Sequence, residues 1–247
     1  MEPTPSDKPL HVVSIGAHPD DEISCAGTLA NYVRAGHRAT VVTMTRGGMG
    51  HMTLPSGELK RLRSEEAAAC ARVLGADLRL LDFEDSAIPE TRDAALVLVD
   101  VLRELRPDVV ITHGPEQRHP DHRATCRLVS DAYYLCSLPL LQSAHPWHGV
   151  GEVYFFDAGE TDTYVDITDT LELKTQAAAC HRSQYEDWLV VHDAGVDRGG
   201  LPDFRVRLRE RAAFHGHRCG VRYAEAFRAY WPRAPKAAPL LPVNAAS

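Results

Sequence analysis

Short apolar runs alternate along the chain with segments whose apolar residues recur every three or four positions. Leu10 to Gly16, Ala39 to Met44, Leu78 to Leu81 and Asp108 to Thr112 carry the apolar or β-branched runs of buried strands. Between and after them lie Ile23 to Ala35, Glu58 to Leu74, Asp93 to Leu105 and Asp121 to Leu138, with helical spacing. Gly36 and Gly75 follow the first two helices and suit left-handed C-caps, and Arg106-Pro107 closes the third. This alternation predicts an α/β fold, a Rossmann-like, mostly parallel sheet with helices on both faces. The second half is less regular. Val150 to Phe156 and Thr163 to Ile167 read as strands, Asp169 to His181 and Phe204 to Arg218 as helices. With no internal repeat, a single domain over 10–231 is expected. It is flanked by a flexible, Pro-rich N-terminus over 1–9 and a flexible small-residue tail over 232–247.

Composition adds limits to this picture. A chain of 247 residues with 44% hydrophobic content can bury a full core. The formal charge of −7 argues against nucleic acid or an anionic membrane as partner. The Arg-rich stretch from Arg205 to Arg211 reads as a solvated helix face. Six scattered cysteines form no C-x-x-C pair, and four fall in predicted helices beside Ala or Leu, where cysteine acts as a small apolar residue. A reduced, cytoplasmic chain is expected, since no signal-like or membrane-spanning run is visible.

The chemistry sits in a repeated tripeptide. His18-Pro19-Asp20-Asp21 follows the first strand and His119-Pro120-Asp121-His122 follows the Asp108 to Thr112 strand. Parallel strands deliver their carboxyl ends to one edge of an open sheet, so the two clusters can meet in one site. His18, Asp21 and His122 supply two imidazoles and one carboxylate, a donor set for catalytic zinc with a position left for water. Zinc would lower that water's pKa toward roughly 7. The same donors accept Fe2+, Mn2+ or Co2+. Asp20 is placed to act as general base, His119 to stabilise an oxyanion or protonate a leaving amine, and Asp121 to hold His119 in the required tautomer. Helix N-capping is the bland account of Asp20 and Asp21, and two clusters at equivalent strand ends weigh against it. The other histidines, His113 among them, read as ordinary structural residues, with His181 intermediate. The Arg46 to Gly50 loop lacks G-x-x-x-x-G-K-[ST], and Gly16-Ala17-His18 lacks G-x-G-x-x-G, which disfavours a nucleotide site.

With these residues in view, the chain resembles the PIG-L/LmbE-type zinc-dependent N-acetylglucosaminyl de-N-acetylases. Ala17-His18-Pro19-Asp20-Asp21-Glu22 and His119-Pro120-Asp121-His122 match the two signatures of that family. Thr45 to Gly50, Arg63 to Ala67, Cys180 to Gln184 and Gly220 to Phe227 are similar to further segments. The resemblance implies zinc on His18, Asp21 and His122, Asp20 as base and His119 as the charged partner of the intermediate. It also implies that Arg63 and Arg118 lie near a substrate, although a helix carboxylate is an equal expectation for Arg63. The substrate class implied is a small N-acetylated sugar, and the assembly implied is a homo-oligomer. The Tyr223 to Phe227 segment is similar to bacillithiol-biosynthesis enzymes that deacetylate N-acetylglucosaminyl malate, whereas Ile23-Ser24-Cys25 and the Trp188 stretch depart from them. Two other readings stand beside deacetylation: an amidase for a larger acyl group on a thiol or sugar conjugate, and a non-catalytic sugar- or metal-binding module. Retention of Asp20, which binding alone does not require, counts against the module.

Overall fold

The structure is a computed structural model and describes residues 8–188 and 203–231. The expected flexible ends, 1–9 and 232–247, fall outside the described residues except for residues 8 and 9, as do residues 189–202. Seven strands form one sheet: β1 (His11–Gly16), β2 (Arg38–Thr45), β3 (Asp77–Phe83), β4 (Val109–His113), β5 (Glu152–Phe156), β6 (Thr163–Asp166) and β7 (Ala224–Ala229). Their spatial order is β3-β2-β1-β4-β5-β7-β6. The first five are parallel to one another, and β7 runs antiparallel to both β5 and β6. This is the mostly parallel α/β sheet that the alternation predicts.

Strict alternation along the strands builds two cores. Val12, Val41, Ile111, Tyr154 and Phe156 face α1 (Ala26–Arg34), α2 (Ser56–Leu74), α5 (Leu171–Ala178) and α6 (Phe204–Cys219). Val13, Ile15, Val42, Met44, Val110 and Phe155 face α3 (Arg92–Leu105) and α4 (Pro120–Leu135). The inner parallel strands β1, β2, β4 and β5 are therefore buried on both sides, as parallel strands between helical layers must be, while β3 at the edge is partly exposed. Gly75, at φ +69, ends α2 as a left-handed C-cap.

Two elements differ from the sequence reading. The helix expected from Ile23 splits into a 3₁₀ turn, Asp21–Cys25, followed by α1. Backbone bonds three residues apart, from the Asp21 N–H to His18 O and from the Ile23 N–H to Asp20 O, set the tighter turn. Side chains take the N–H groups before it: Asp21 Oδ2 accepts the His18 N–H at 2.7 Å, and Glu22 Oε2 accepts that of Asp20 at 2.9 Å. Strand β7 was not expected. Its sequence, AEAFRA, has no β-branched residue, and it pairs through β5 and β6 on either side rather than through its own propensity.

What positions the site is the adjacency of β1 and β4 at the centre of the sheet. The chain leaves β1 toward β2 on one side and β4 toward β5 on the other. Their carboxyl ends therefore open the crevice in which ligands of such sheets bind. Register pairs Ile15 with Thr112, so Gly16-Ala17-His18 and His113 emerge side by side.

Candidate active site

The first cluster leaves β1 through a tight turn. A Cβ at Gly16 would come within 2.7 Å of Asp21 Cβ, so only glycine lets Asp21 fold back over the strand end. Asp20 takes φ +111, a left-handed conformation that costs a non-glycine residue about 1–3 kcal/mol and persists only where neighbours enforce it. The second cluster follows β4 as a helix start. His119 caps α4, its Nδ1 accepting the Asp121 N–H at 3.2 Å, and Pro120 occupies the first turn.

Here the two clusters meet. His18 Nδ1 lies 3.6 Å from Asp21 Oδ2, and His122 Nε2 lies 3.4 Å from Asp21 Oδ1. The opposite nitrogens fix both tautomers. His18 Nε2 faces Asp121 Oδ2 at 3.1 Å and Asp85 Oδ1 at 3.2 Å, and His122 Nδ1 faces the Gln117 Oε1 carbonyl at 3.4 Å. With its proton on the nitrogen facing these acceptors, each ring turns a lone pair toward the Asp21 carboxylate. Two lone pairs facing one carboxylate repel unless a proton or a cation stands between them, so these residues fit a divalent ion. Carboxylates placed like Asp121 and Asp85 are the outer groups that would orient a histidine holding such an ion. His18, His119 and His122 form one constellation whose ligand atoms all lie within 4.8 Å of one another, and Asp21, His113 and His122 form another.

Without a cation, a proton takes the place between His18 and Asp21. Burial opposes the charge on His18, yet hydrogen bonds to Asp121, Asp21 and Asp85 outweigh it and raise its pKa well above the usual histidine value, so a metal would bind by displacing the Nδ1 proton. Burial works against ionised Asp21 as well, but the neighbouring His122, His113 and His18 hold its carboxyl well below the carboxylate range. Burial carries His122 down to about 4, leaving it neutral and able to donate its lone pair at neutral pH.

Asp20 stands apart from the ligand set. Its Oδ1 accepts from Arg63 at 2.8 Å, and the same guanidinium donates to the Pro19 carbonyl and to Gly47 O. Any side chain at Gly47, at φ +65, would collide with that guanidinium. Burial raises the Asp20 pKa to about 6, with Arg63 opposing. A carboxylate poised there is suited to take up and release a proton near neutrality.

The structure places the expected residues as follows. His18, Asp21, His122, Asp20, His119 and Asp121 lie together. Arg63 is buried against Asp20 rather than paired along its own helix. Arg118 is exposed beside the site, its backbone carbonyl accepting from Arg123. The carboxylate of Asp121 was expected to hold His119. Its oxygens are taken by His18 Nε2 and by the Ser86 and Ile88 N–H groups, and it is the Asp121 backbone that fixes the His119 tautomer. Asp121, two residues past the N-cap, turns its side chain inward from the helix start, toward His18.

Three residues escaped the sequence reading. His113 Nε2 lies 3.0 Å from Asp21 Oδ2 and its ring stacks on His122, at a 4.0 Å centroid separation. Asp85, after β3, accepts the Met49 N–H and reaches His18. Glu22 is buried against His181 and Cys70. Only His113 left a signal, as the last residue of the strand paired with β1. Burial and the adjacent Glu22 push the Cys70 thiol up.

Comparison with known proteins decides the family. The model of the PIG-L family, described as GlcNAc-PI de-N-acetylase, matches residues 13–133. Diacetylchitobiose deacetylase of Thermococcus kodakarensis is 31% identical over 232 residues, covering 88% of this chain and 82% of that protein. The chain belongs to the PIG-L family. The crystal structure of N,N'-diacetylchitobiose deacetylase from Pyrococcus horikoshii, bound to its inhibitor MPG, superimposes with a TM-score of 0.76 at 30% identity, covering 89% of this chain and 83% of that one. A relative with a different reaction is 4-oxalmesaconate hydratase of Pseudomonas putida, 24% identical over 235 residues, 89% of this chain and 88% of that protein. The chain is an enzyme of the PIG-L family, whose deacetylase members hydrolyse amide bonds. Among the described residues no helix is long and apolar enough to cross a membrane.

Proposed function

We propose that this PIG-L enzyme removes the acetyl group from an N-acetylglucosamine unit of a small glycoside, for example N-acetylglucosaminyl malate. The observation that carries the reading is the separation of duties at one strand edge. His18 and His122 each turn a ring nitrogen to the Asp21 carboxylate, and a fourth group, the Asp20 carboxylate, is held off that set by Arg63 with its pKa raised to about 6. A binding module has no use for the fourth group. Family membership supports the N-acetylglucosamine class, since the family description and the Thermococcus relative both name deacetylation of such sugars.

His18, Asp21 and His122 would hold the metal, with zinc as the proposed ion. When bound, such an ion polarises an amide carbonyl and lowers the pKa of water so that hydroxide is available at neutral pH. Asp20 takes the proton of the attacking water. His119, with Nδ1 occupied by the Asp121 N–H, presents Nε2–H as a donor to the carbonyl oxygen as negative charge develops there. As the C–N bond breaks, Asp20 returns its proton to the leaving nitrogen and the acid formed gives up its own, so that water and amide become acetate and the protonated amine.

The test is acetate release from a panel of N-acetylglucosaminides, including diacetylchitobiose and N-acetylglucosaminyl malate, by chelated protein before and after zinc is restored. Zinc-dependent release from a panel member supports the reading. Release only of larger acyl groups moves the assignment to an amidase. Hydration of 4-oxalmesaconate with an inert panel replaces it by the chemistry of the Pseudomonas relative.

A further inference from the structure

The segment His181 to Gln184 has no part in the reaction as derived, yet three of its residues reach the surroundings of Asp20. His181 Nε2 meets Glu22 Oε1 at 2.7 Å, and both side chains are sealed from solvent. The other oxygen of Glu22 accepts the Asp20 N–H at 2.9 Å. The Ser183 N–H and hydroxyl donate to Glu66 at 2.9 and 2.6 Å, one turn of α2 from Arg63, which binds the Asp20 carboxylate. Gln184 donates to Gly50 O in the loop that carries Gly47.

These contacts converge on Asp20, whose backbone is held at φ +111. We propose that the buried Glu22–His181 pair, anchored by Ser183 and Gln184, is a positioning device that holds Asp20 in its left-handed conformation and so aims its carboxylate. The proposal rests on the assignment of Asp20 as the base. Glu22 and His181 touch no reacting atom and act through Asp20. Apolar side chains of similar volume would fill the space as well, because a buried ion pair contributes little net stability. What they would not supply is an acceptor for the Asp20 N–H, the group a left-handed turn leaves without a helical partner. His181 in turn donates to Glu22 and keeps that carboxylate turned toward Asp20.

The experiment compares His181→Leu, His181→Gln and Glu22→Gln with Asp20→Asn, measuring kcat, KM, metal content and melting temperature. Misplacing a catalytic group by about 1 Å costs on the order of 100-fold, so His181→Leu should lower kcat about 30- to 100-fold. KM and bound zinc should stay within about twofold, since ground-state binding is untouched. His181→Gln restores a donor near Nε2 and should recover most of the loss. Glu22→Gln keeps the shape and an acceptor, and a drop in kcat of about fivefold is expected from the lost charge alone. In an Asp20→Asn background His181→Leu should cause no further loss, because the two act on one step. Unchanged kcat in folded Glu22→Gln and His181→Leu, a loss that tracks bound zinc, or a full additional loss on Asp20→Asn overturns the proposal. Full activity of Asp20→Asn overturns the base assignment instead, a result separable from these.

Discussion

The two His-Pro-Asp tripeptides are identical in sequence and opposite in structure. The first ends in a 3₁₀ turn with a strained Asp20; the second starts a regular helix, with His119 as N-cap. In the first the histidine turns a lone pair toward Asp21, whereas in the second it turns Nδ1 to its own helix. The aspartates diverge further. Asp20 is gripped by Arg63, while Asp121 crosses to the other cluster and orients His18. Neither copy is complete without its counterpart. What separates them is the backbone after proline, which decides which way an Asp side chain is thrown.

The contrast is broken most severely at Asp20. Asp20→Asn keeps the shape but cannot take up a proton, so kcat should fall by about 10²–10⁴, with zinc stoichiometry measured by metal analysis unchanged. Asp121→Asn should do the reverse. Weakening the outer support of a metal-ligating histidine costs about 10- to 100-fold in affinity, so the variant should lose zinc to a competing chelator sooner than the parent. Equal zinc retention in the two variants would erase the distinction drawn between the aspartates.

His119 sharpens the comparison from the other side. Loss of one donor to a developing oxyanion costs about 10²–10³ in kcat, so His119→Ala should show a loss of that size. As the ring is also an N-cap, the same variant should lose about 1 kcal/mol of stability, read by denaturant unfolding. Loss of stability with full kcat would leave His119 a cap and nothing more.

Much of this was legible in the chain, for reasons that also explain the gaps. Strands such as Val109 to His113 are apolar on both faces because helices cover both, and that leaves a continuous run in the sequence. His18, Asp20, Asp21 and His122 could be placed together because parallel strands share one edge. Asp85 could not, because it reaches His18 from a loop after β3 with no spacing rule to locate it. The Asp121 carboxylate was assigned to its sequence neighbour His119, yet its partner is His18, 103 residues away. Local order fixes the element on which a side chain sits and leaves its long-range partner open. The same limit hid β7, whose pairing is supplied by β5 and β6.

The prolines offer the mildest test, and they separate the two tripeptides without touching a charged group. Pro19 is buried, its carbonyl under the Arg63 guanidinium, and it precedes the strained Asp20. Pro120 is exposed in the first turn of α4, where a helix N–H has no partner in any case. Replacing either with alanine frees the unfolded chain and should cost about 0.4–1 kcal/mol, a melting shift of about 1–4 °C for a domain of this size. At Pro120 that should be all, with kcat within about twofold, because the helical φ at that position is one alanine adopts freely. At Pro19 a several-fold fall in kcat is expected as well, since the added freedom adjoins a residue whose conformation the neighbours must enforce. Equal kcat in the two variants, measured beside equal melting shifts, would mean that proline contributes only stiffness and that the contacts of Arg63 and Glu22 alone set the direction of Asp20.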